Sequence, residues 1–118
     1  MEDRYLLKGK EKDSGKWLEW NALAGIPHNV TILTNTICQC TGLKDKNDKL
    51  IWENDIVNCT DAECYGYISW NESEVGFYFN VLLEGGGFDD EHIYNYQDCM
   101  EVVGNIFDNK DLLESGEK

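Results

Sequence analysis

The sequence lacks the features of a membrane-embedded or exported protein. It contains no run of about 18 apolar residues, the length that a helix needs to cross a bilayer. It opens with Met1, Glu2, Asp3 and Arg4 and has no apolar stretch followed by a small-residue cleavage site, as a secretory signal would. We therefore expect a protein that stays in the cytoplasm.

Histidine is scarce, and no catalytic set is recognisable. The two histidines, His28 and His92, have no evident catalytic partner in the sequence. The serines considered as nucleophiles fall in predicted turns or strands: Ser14, Ser69 and Ser73. The sequence therefore favours a protein that is not an enzyme, and it predicts neither catalytic residues nor a cofactor.

Basic residues are scarce in the second half of the chain. Residues 1–49 hold eight Lys or Arg against seven Asp or Glu, a sum of +1, whereas residues 50–118 hold two against sixteen, a sum of −14. A field of this sign repels nucleic-acid phosphates and anionic lipid and attracts basic protein surfaces. It disfavours nucleic acid and membrane as partners, although four lysines keep nucleic acid as a minor alternative: Lys8, Lys10, Lys12 and Lys16. The simpler alternative is that the acids only keep the protein soluble.

The five cysteines are an odd number, so one is left over in any full pairing. In a reducing cytoplasm we expect free, half-buried thiols and no bound metal. A zinc site is the minor alternative, because a Cys-x-Cys pair on a strand is workable but atypical for zinc. Its candidate ligands are Cys38, Cys40, Cys59, Cys64, Cys99 and His92.

Short aromatic or β-branched runs alternate with turn residues along the whole chain, a pattern typical of all-β proteins. The expected strands cover residues 4–9, 17–23, 30–33, 36–40, 50–52, 56–57, 65–70, 76–82 and 102–107. We expect residues 89–98 to form a loop or a single helical turn. The pattern predicts one mainly β domain with at most one short helix. Within it we expect a soft division into an N-terminal hairpin region, 1–40, and an acidic region with a small β-barrel, 41–118.

The block from Thr36 to Cys59 carries a specific pattern, in which residues 39–57 read Gln-Cys-Thr-Gly-Leu-Lys-Asp-Lys-Asn-Asp-Lys-Leu-Ile-Trp-Glu-Asn-Asp-Ile-Val. It resembles the hallmark of the YopX family, small proteins carried mainly by bacteriophages and prophages. The segments 3–17 and 103–107 resemble the opening hairpin and the closing segment of that family, so the resemblance covers essentially the whole chain. At the matching positions we expect structural roles: Thr41, Gly42, Leu43, Asp45, Asn47, Ile51, Trp52, Glu53, Asp55, Ile56, Val57, Gly104 and Asn105.

The resemblance implies a β-rich domain with a small barrel in its C-terminal part, and no established activity. The order of residues 53–57 and 66–68 also resembles Src-homology-3-like barrels, an analogy of fold alone. The chain departs from the family pattern at two glycines, where Asp48 and Asn54 stand instead. Both residue types accept a left-handed backbone, so we expect positive φ angles and intact turns there.

Glu53 and Asp55 fall on the same side of an extended segment, about 6–7 Å apart along it. That spacing suits a metal-dependent hydrolase. The favoured alternative is that Asp55 holds the turn before Ile56 by accepting backbone N–H bonds.

Aromatic residues in the second half could form a stacking platform on one face of the domain. Without interleaved Lys or Arg, such a platform would hold single-stranded nucleic acid poorly, so core packing and cross-strand pairing are favoured. The residues concerned are Trp52, Tyr65, Tyr67, Trp70, Phe77, Tyr78 and Phe79.

The leading hypothesis is a phage or prophage accessory protein, in the cytoplasm of the bacterial host, that binds a host or phage protein through its acidic face without catalysis. A narrower form of this hypothesis is that the acidic domain mimics nucleic acid and occupies a DNA-binding protein. The alternatives are a self-assembling structural module, because open sheet edges pair between copies, and the hydrolase described above.

Overall fold

A computed structural model of the protein describes residues 5–59, 64–93 and 96–114. Within these ranges the chain forms nine strands and one short helix. The strands are β1 (Leu6–Lys10), β2 (Trp17–Asn21), β3 (Cys38–Lys44), β4 (Leu50–Trp52), β5 (Asp55–Cys59), β6 (Cys64–Asn71), β7 (Gly76–Leu82), β8 (Phe88–His92) and β9 (Met100–Asn105). The helix is α1 (Asp111–Glu114), and 3₁₀ turns cover Thr34–Thr36 and Gln97–Cys99. The predicted mainly β fold with one short helix is confirmed.

The first four strands form an antiparallel sheet in the order β2-β1-β3-β4. The predicted opening hairpin is present, with β1 paired to β2 along its whole length. Alternation along β2 buries Trp20 and exposes Glu19, as expected for a strand with one buried face. A Cβ on Gly9 would stand 2.6 Å from Cγ2 of Ile32, so the segment that precedes β3 packs directly against β1.

The other five strands form an antiparallel sheet in the order β8-β7-β6-β5-β9. Strands β6 and β7 make a long hairpin, with the connection at residues 72–75 in the predicted place. One face of this sheet carries the main core, whose fully buried members are Ile51, Val57, Cys59, Ile68, Phe79 and Met100. Because Ile51 comes from β4, the first sheet contributes to the same core.

The expected small barrel is wrong, because both sheets are open. Strands β8 and β9 lie at opposite edges of the second sheet, and closure would require them to pair. Strand β8 carries three successive acids, Asp89, Asp90 and Glu91, and charged side chains on an edge strand oppose further pairing. The acidic composition of the second half therefore works against the closed arrangement that its strand count suggests.

The change from the first sheet to the second occurs in the turn between β4 and β5. Asn54 in this turn has a φ of 73°, and Asp48 in the preceding turn has a φ of 69°, so both predicted left-handed positions are confirmed. The N–H of Asn54 donates to the carbonyl of Ile68 at 2.6 Å, and its own carbonyl accepts the N–H of Ile106 at 3.0 Å. Cys40, where the soft division was expected, lies inside β3.

Two segments differ from the sequence prediction. Residues 89–92, the start of the segment expected as a loop or helical turn, belong to β8, because β7 offers five consecutive residues to pair with. Residues 30–33, expected as a strand, make only one isolated bridge, between Ile32 and Glu11. The 3₁₀ turn that begins at Thr34 ends the extended conformation before a ladder can form.

Candidate functional site

The start of the family-like segment forms a bulge in β3. The register between β3 and β4 shifts across residues 40–44, and Gly42 has a φ of 85°. The hydroxyl of Thr41 donates to the carbonyl of Ile51 at 2.7 Å and accepts the N–H of Leu43 at 3.1 Å. The bulge turns Leu43 onto the main core, where it packs as a half-buried side chain.

The carboxylate of Asp45 joins the two sheets. It is only 6% exposed, in the turn between β3 and β4. Its Oδ1 accepts the N–H groups of Asn47 and Lys49, both at 2.9 Å, which closes the turn. Its Oδ2 accepts the N–H of Val102 on β9, also at 2.9 Å. A turn that belongs to the first sheet is thus bonded to the edge of the second.

The ionisation of Asp45 follows from these bonds. Burial raises its pKa, but the N–H groups of Val102, Lys49 and Asn47 together outweigh burial and hold the pKa below its usual value. The group is therefore a carboxylate at neutral pH. A backbone bond from Lys46 N–H to the carbonyl of Met100, 2.9 Å, reinforces the same contact. We call residues 45–49 the inter-sheet turn.

Asp55, at the start of β5, is only 4% exposed. Its Oδ2 accepts the N–H of Trp52 at 2.8 Å and so spans the turn between β4 and β5. Burial raises its pKa to about 6, although the Trp52 N–H and then the charges of Lys8 and Lys49 act in the opposite direction. Asp55 is therefore a buried acid that takes up a proton only slightly below neutral pH.

Asp55 contributes to the wall of a cleft of about 320 Å³, which is at the lower end of the volumes that hold small ligands. Both sheets line it, and the lining residues are Lys8, Glu19, Lys49, Leu50, Trp52, Asp55, Val102, Gly104 and Asn105. Four of them are positions that match the family pattern: Trp52 and Asp55 in the central motif, and Gly104 and Asn105 in the closing motif. The central and the closing motif, far apart in the sequence, thus meet at the junction of the sheets.

Lys8 is held beside this cleft by two indole rings. Its Nζ lies 4.8 Å from the ring centroid of Trp17 and 4.7 Å from that of Trp52, in the range of cation–π contacts. Lys10 also approaches Trp17, at 5.5 Å, and forms an ion pair with Asp108. The first sheet therefore presents ordered ammonium groups to the closing segment of the chain.

The closing motif forms a tight turn after β9. Asn105 Oδ1 accepts the N–H groups of Phe107 and Asp108, at 3.0 and 2.9 Å. A Cβ on Gly104 would stand 2.5 Å from Oδ1 of Asn109, so a larger residue at that position would displace the Asn109 side chain. The hydrogen bond from Lys10, and then that from the Trp17 indole, lower the pKa of Asp108 to about 2.

Glu53 and Asp55, the candidate hydrolase pair, have separate bonding partners. Oε1 of Glu53 accepts the N–H of Gln39 at 3.1 Å, and the Glu53 N–H donates to the Gln39 carbonyl at 2.9 Å, so this residue is tied to β3. Asp55 is bonded to Trp52 instead. Within the residues that the structure describes, no three His, Cys, Asp or Glu side chains lie close enough to hold a metal ion. The hydrolase hypothesis gains no support from this geometry.

The expectation of free thiols throughout is wrong, because Cys59 and Cys99 form a disulfide. The sheet register places the end of β5 beside the start of β9, which brings these two cysteines together across 40 residues of sequence. Cys38 and Cys40 are buried in the smaller cluster of the first sheet, with Trp52. The cysteines considered as one zinc site are therefore divided between the two sheets.

The aromatic residues considered as one platform are also divided. Phe77 and Phe79 pack on the main core, whereas Trp52 belongs to the cluster of the first sheet. Tyr67 makes an edge-to-face contact with Phe88, with ring centroids 5.1 Å apart. Alternation along β6 and β7 places Tyr67 and Tyr78 on the face opposite the core. The β8 residues on that face are Phe88, Asp90 and His92, none of which is a lysine or arginine.

An acidic surface lies along β8 and the turn that precedes it, residues 83–92, which we call the acidic edge. It contains Glu84, Asp89, Asp90 and Glu91 and no Lys or Arg. Residues 83–90 are exposed throughout, including the apolar side chains of Leu83 and Phe88 at 44% and 43%. Strand β8 lies at the outer edge of the second sheet, paired on one side with β7.

The sequence alone does not identify Lys8 and Lys49 as lining residues of the cleft, nor Asp108 as the partner of Lys10. The sequence pattern places Lys8 and Trp17 in one hairpin, and the β1–β3 pairing is what brings Lys8 to Trp52 as well. The alternation of lysine along β1, at positions 8 and 10, was the available signal, because it places both ammonium groups on the same face.

These features define a class of small all-β protein: two open antiparallel sheets, joined by a bonded turn, with a polar cleft at their junction. Among the described residues, no helix is long and apolar enough to cross a membrane. A family model described as YopX protein matches residues 1–114, and the chain therefore belongs to the YopX family. No curated protein shows a significant sequence match to it.

Proposed function

We propose that the protein is a phage or prophage accessory protein that acts in the host cytoplasm by binding a host or phage protein, without catalysis, through the acidic edge. The observation that carries this proposal is the combination of exposed acids and exposed apolar side chains along the acidic edge. Acids alone would serve solubility, whereas Leu83 and Phe88 also expose large apolar side chains in the same segment, which a bound partner would cover.

The chemistry of the edge favours one kind of partner. A segment that pairs with the outer side of β8 would form backbone hydrogen bonds along the strand, as in other cases of strand addition. Lysine or arginine on that segment would meet Asp89, Asp90 and Glu91, and an apolar residue would cover Phe88. The partner we infer is therefore a basic, extended segment of another protein.

Self-assembly through the same edge is the weaker alternative. A second copy of β8 would bring its own three successive acids against those of the first, and opposed like charges destabilise a strand pair. We expect sedimentation of the purified protein at tens of micromolar to give a monomer. A stable dimer that is lost in a Phe88→Ser variant would favour self-assembly instead.

The proposal is tested by charge reversal at matched positions. The variant Asp89→Lys/Asp90→Lys changes the acidic edge, and the control Glu72→Lys/Glu74→Lys makes the same change in net charge at the turn between β6 and β7. Tagged wild type and both variants are used for capture from host cells that carry the phage, with identification of the retained proteins. Binding is then measured by calorimetry with the purified candidate.

We expect one basic partner that binds the wild type and the control at similar affinity and binds the edge variant at least tenfold more weakly. Equal weakening in both variants would show a response to net charge alone. Unchanged binding in the edge variant would place the interface elsewhere. Either result would overturn the assignment of the acidic edge.

A further inference from the structure

Three of the five cysteines converge at one end of the second sheet. Cys59 ends β5, Cys64 begins β6, and the two are directly opposite each other in the antiparallel register. Cys99 immediately precedes β9 and is joined to Cys59 by the disulfide. Both Cys64 and Cys99 pack against the core cluster that contains Cys59. A thiol thus lies beside a disulfide, on the same face of the sheet.

The register makes a second pairing of these cysteines possible. Directly opposite residues in an antiparallel pair point to one face and have Cα atoms about 4.5–5.5 Å apart. A disulfide accommodates Cα separations of about 4.4–6.8 Å. Cys59 can therefore bond to Cys64 with β5 and β6 in their present register, as well as to Cys99.

We propose that Cys59, Cys64 and Cys99 form a thiol–disulfide exchange site. The thiolate of Cys64 attacks Sγ of Cys59. A Cys59–Cys64 bond forms, the Cys59–Cys99 bond breaks, and Cys99 departs with the electron pair as a thiolate, which then takes up a proton equivalent to the one that Cys64 lost. The number of disulfides is unchanged, so the step consumes neither an oxidant nor a reductant.

The two pairings hold different parts of the molecule. The Cys59–Cys99 bond ties β5 to the segment before β9, 40 residues further along the sequence. The Cys59–Cys64 bond closes only the β5–β6 hairpin and releases that segment. In the reducing cytoplasm of the proposed function, disulfides are commonly transient, which fits a bond that has an alternative partner at hand.

The surroundings of Cys64 keep the exchange slow at neutral pH. Burial, and after it the carboxylate of Glu91, raise the pKa of the Cys64 thiol. Among the described residues, Asp89 on β8 and Tyr96 before the 3₁₀ turn are the further titratable groups near this corner, and neither supplies a positive charge. Because the thiolate is the attacking form, the exchange accelerates as the pH rises.

The first test uses the full chain with Cys99→Ser, incubated in a glutathione redox buffer at pH 8.5, quenched with acid and mapped by non-reducing peptide mass spectrometry. We expect Cys59 and Cys64 to be linked in most molecules. The matched control, Cys64→Ser, should carry the Cys59–Cys99 bond under the same conditions. A Cys99→Ser protein that keeps the wild-type circular dichroism but carries only thiols or glutathione adducts at these positions would overturn the proposal.

The second test follows the wild type with no added thiol. After incubation at pH 7 and at pH 8.5, acid quenching preserves the linkages for mapping. We expect the Cys59–Cys64 linkage to be present and to reach its final level several-fold faster at pH 8.5. Detection of the Cys59–Cys99 linkage alone, after a day at pH 8.5, would contradict the exchange.

Discussion

Removal of the Asp45 carboxylate is the sharpest test of how the sheets are held together. Asp45→Ala leaves three part-buried N–H groups, those of Asn47, Lys49 and Val102, without their acceptor. Hydrogen bonds to a charged group contribute about 1.5–3 kcal/mol each, and unsatisfied buried donors carry a desolvation penalty of similar size. Water that enters the turn restores part of this loss. We therefore expect the free energy of unfolding to fall by about 3–5 kcal/mol, among the larger effects of a single substitution.

The assay is urea unfolding followed by tryptophan fluorescence, with Asp45→Asn and Asp48→Asn as companions. Asp45→Asn keeps one acceptor oxygen and should lose about 1–3 kcal/mol. Asp48→Asn makes the same change of charge three residues away, at an exposed side chain that also tolerates a positive φ, and should change stability by less than about 0.5 kcal/mol. A loss in Asp45→Ala no larger than that in Asp48→Asn would refute the role of the carboxylate.

The same reasoning gives a dependence on pH. The folded-state pKa of Asp45 lies below its unfolded value, so its contribution to stability is complete above the unfolded pKa and is lost as the pH falls through the folded pKa. We expect the stability difference between the wild type and Asp45→Asn to shrink as the pH falls below about 4. A difference that stays constant down to pH 2 would show that the ionised form makes no special contribution.

Three further predictions follow from the turns and the disulfide. Burial raises the folded pKa of Asp55 to about 6, so its contribution is complete below the unfolded pKa and is lost as the pH rises through 6. Between pH 4 and pH 8 the free energy of unfolding of the wild type should fall by up to about 2–3 kcal/mol more than that of Asp55→Asn. Urea unfolding that gives the same pH dependence for both proteins would contradict this. Asp48→Gly restores glycine at a φ of 69° and should raise stability by about 0.5–1 kcal/mol in the same assay, whereas a decrease would show that the aspartate is not strained. Cys59→Ser removes the only described disulfide and its exchange, and should lower stability by about 2–4 kcal/mol relative to the oxidised wild type. Equal stability of the oxidised and dithiothreitol-reduced wild type would count against that figure.

The turns were predictable because their determinants are local. Asp48 and Asn54 are residue types that accept a left-handed backbone, and the positive φ angles follow from that property and from their place between two extended pieces. The opening and central hairpins followed in the same way from alternation and turn residues. In each case a few neighbouring residues decide the conformation.

Features that depend on distant pairing were not predictable from local pattern. Strand β8 has a sequence with low strand propensity and exists because β7 pairs with it. The cleft brings together Lys8, Asp55 and Asn105 from two sheets, and their spacing in the sequence does not indicate that they lie close together. The prediction of a barrel was wrong for a related reason. The number of strands and the spacing of turns do not determine whether the two edges of a sheet can approach each other.

The inter-sheet turn also has a practical consequence for engineering the protein. Surface connections between strands usually accept inserted residues, and a peptide tag or fluorophore site would normally be placed in one. Residues 45–49 resemble such a connection in composition, yet a lengthened loop there would disturb the bond between Asp45 and Val102 that joins the two sheets. The tip between β6 and β7, at residues 72–74, is exposed and is the better position for a label.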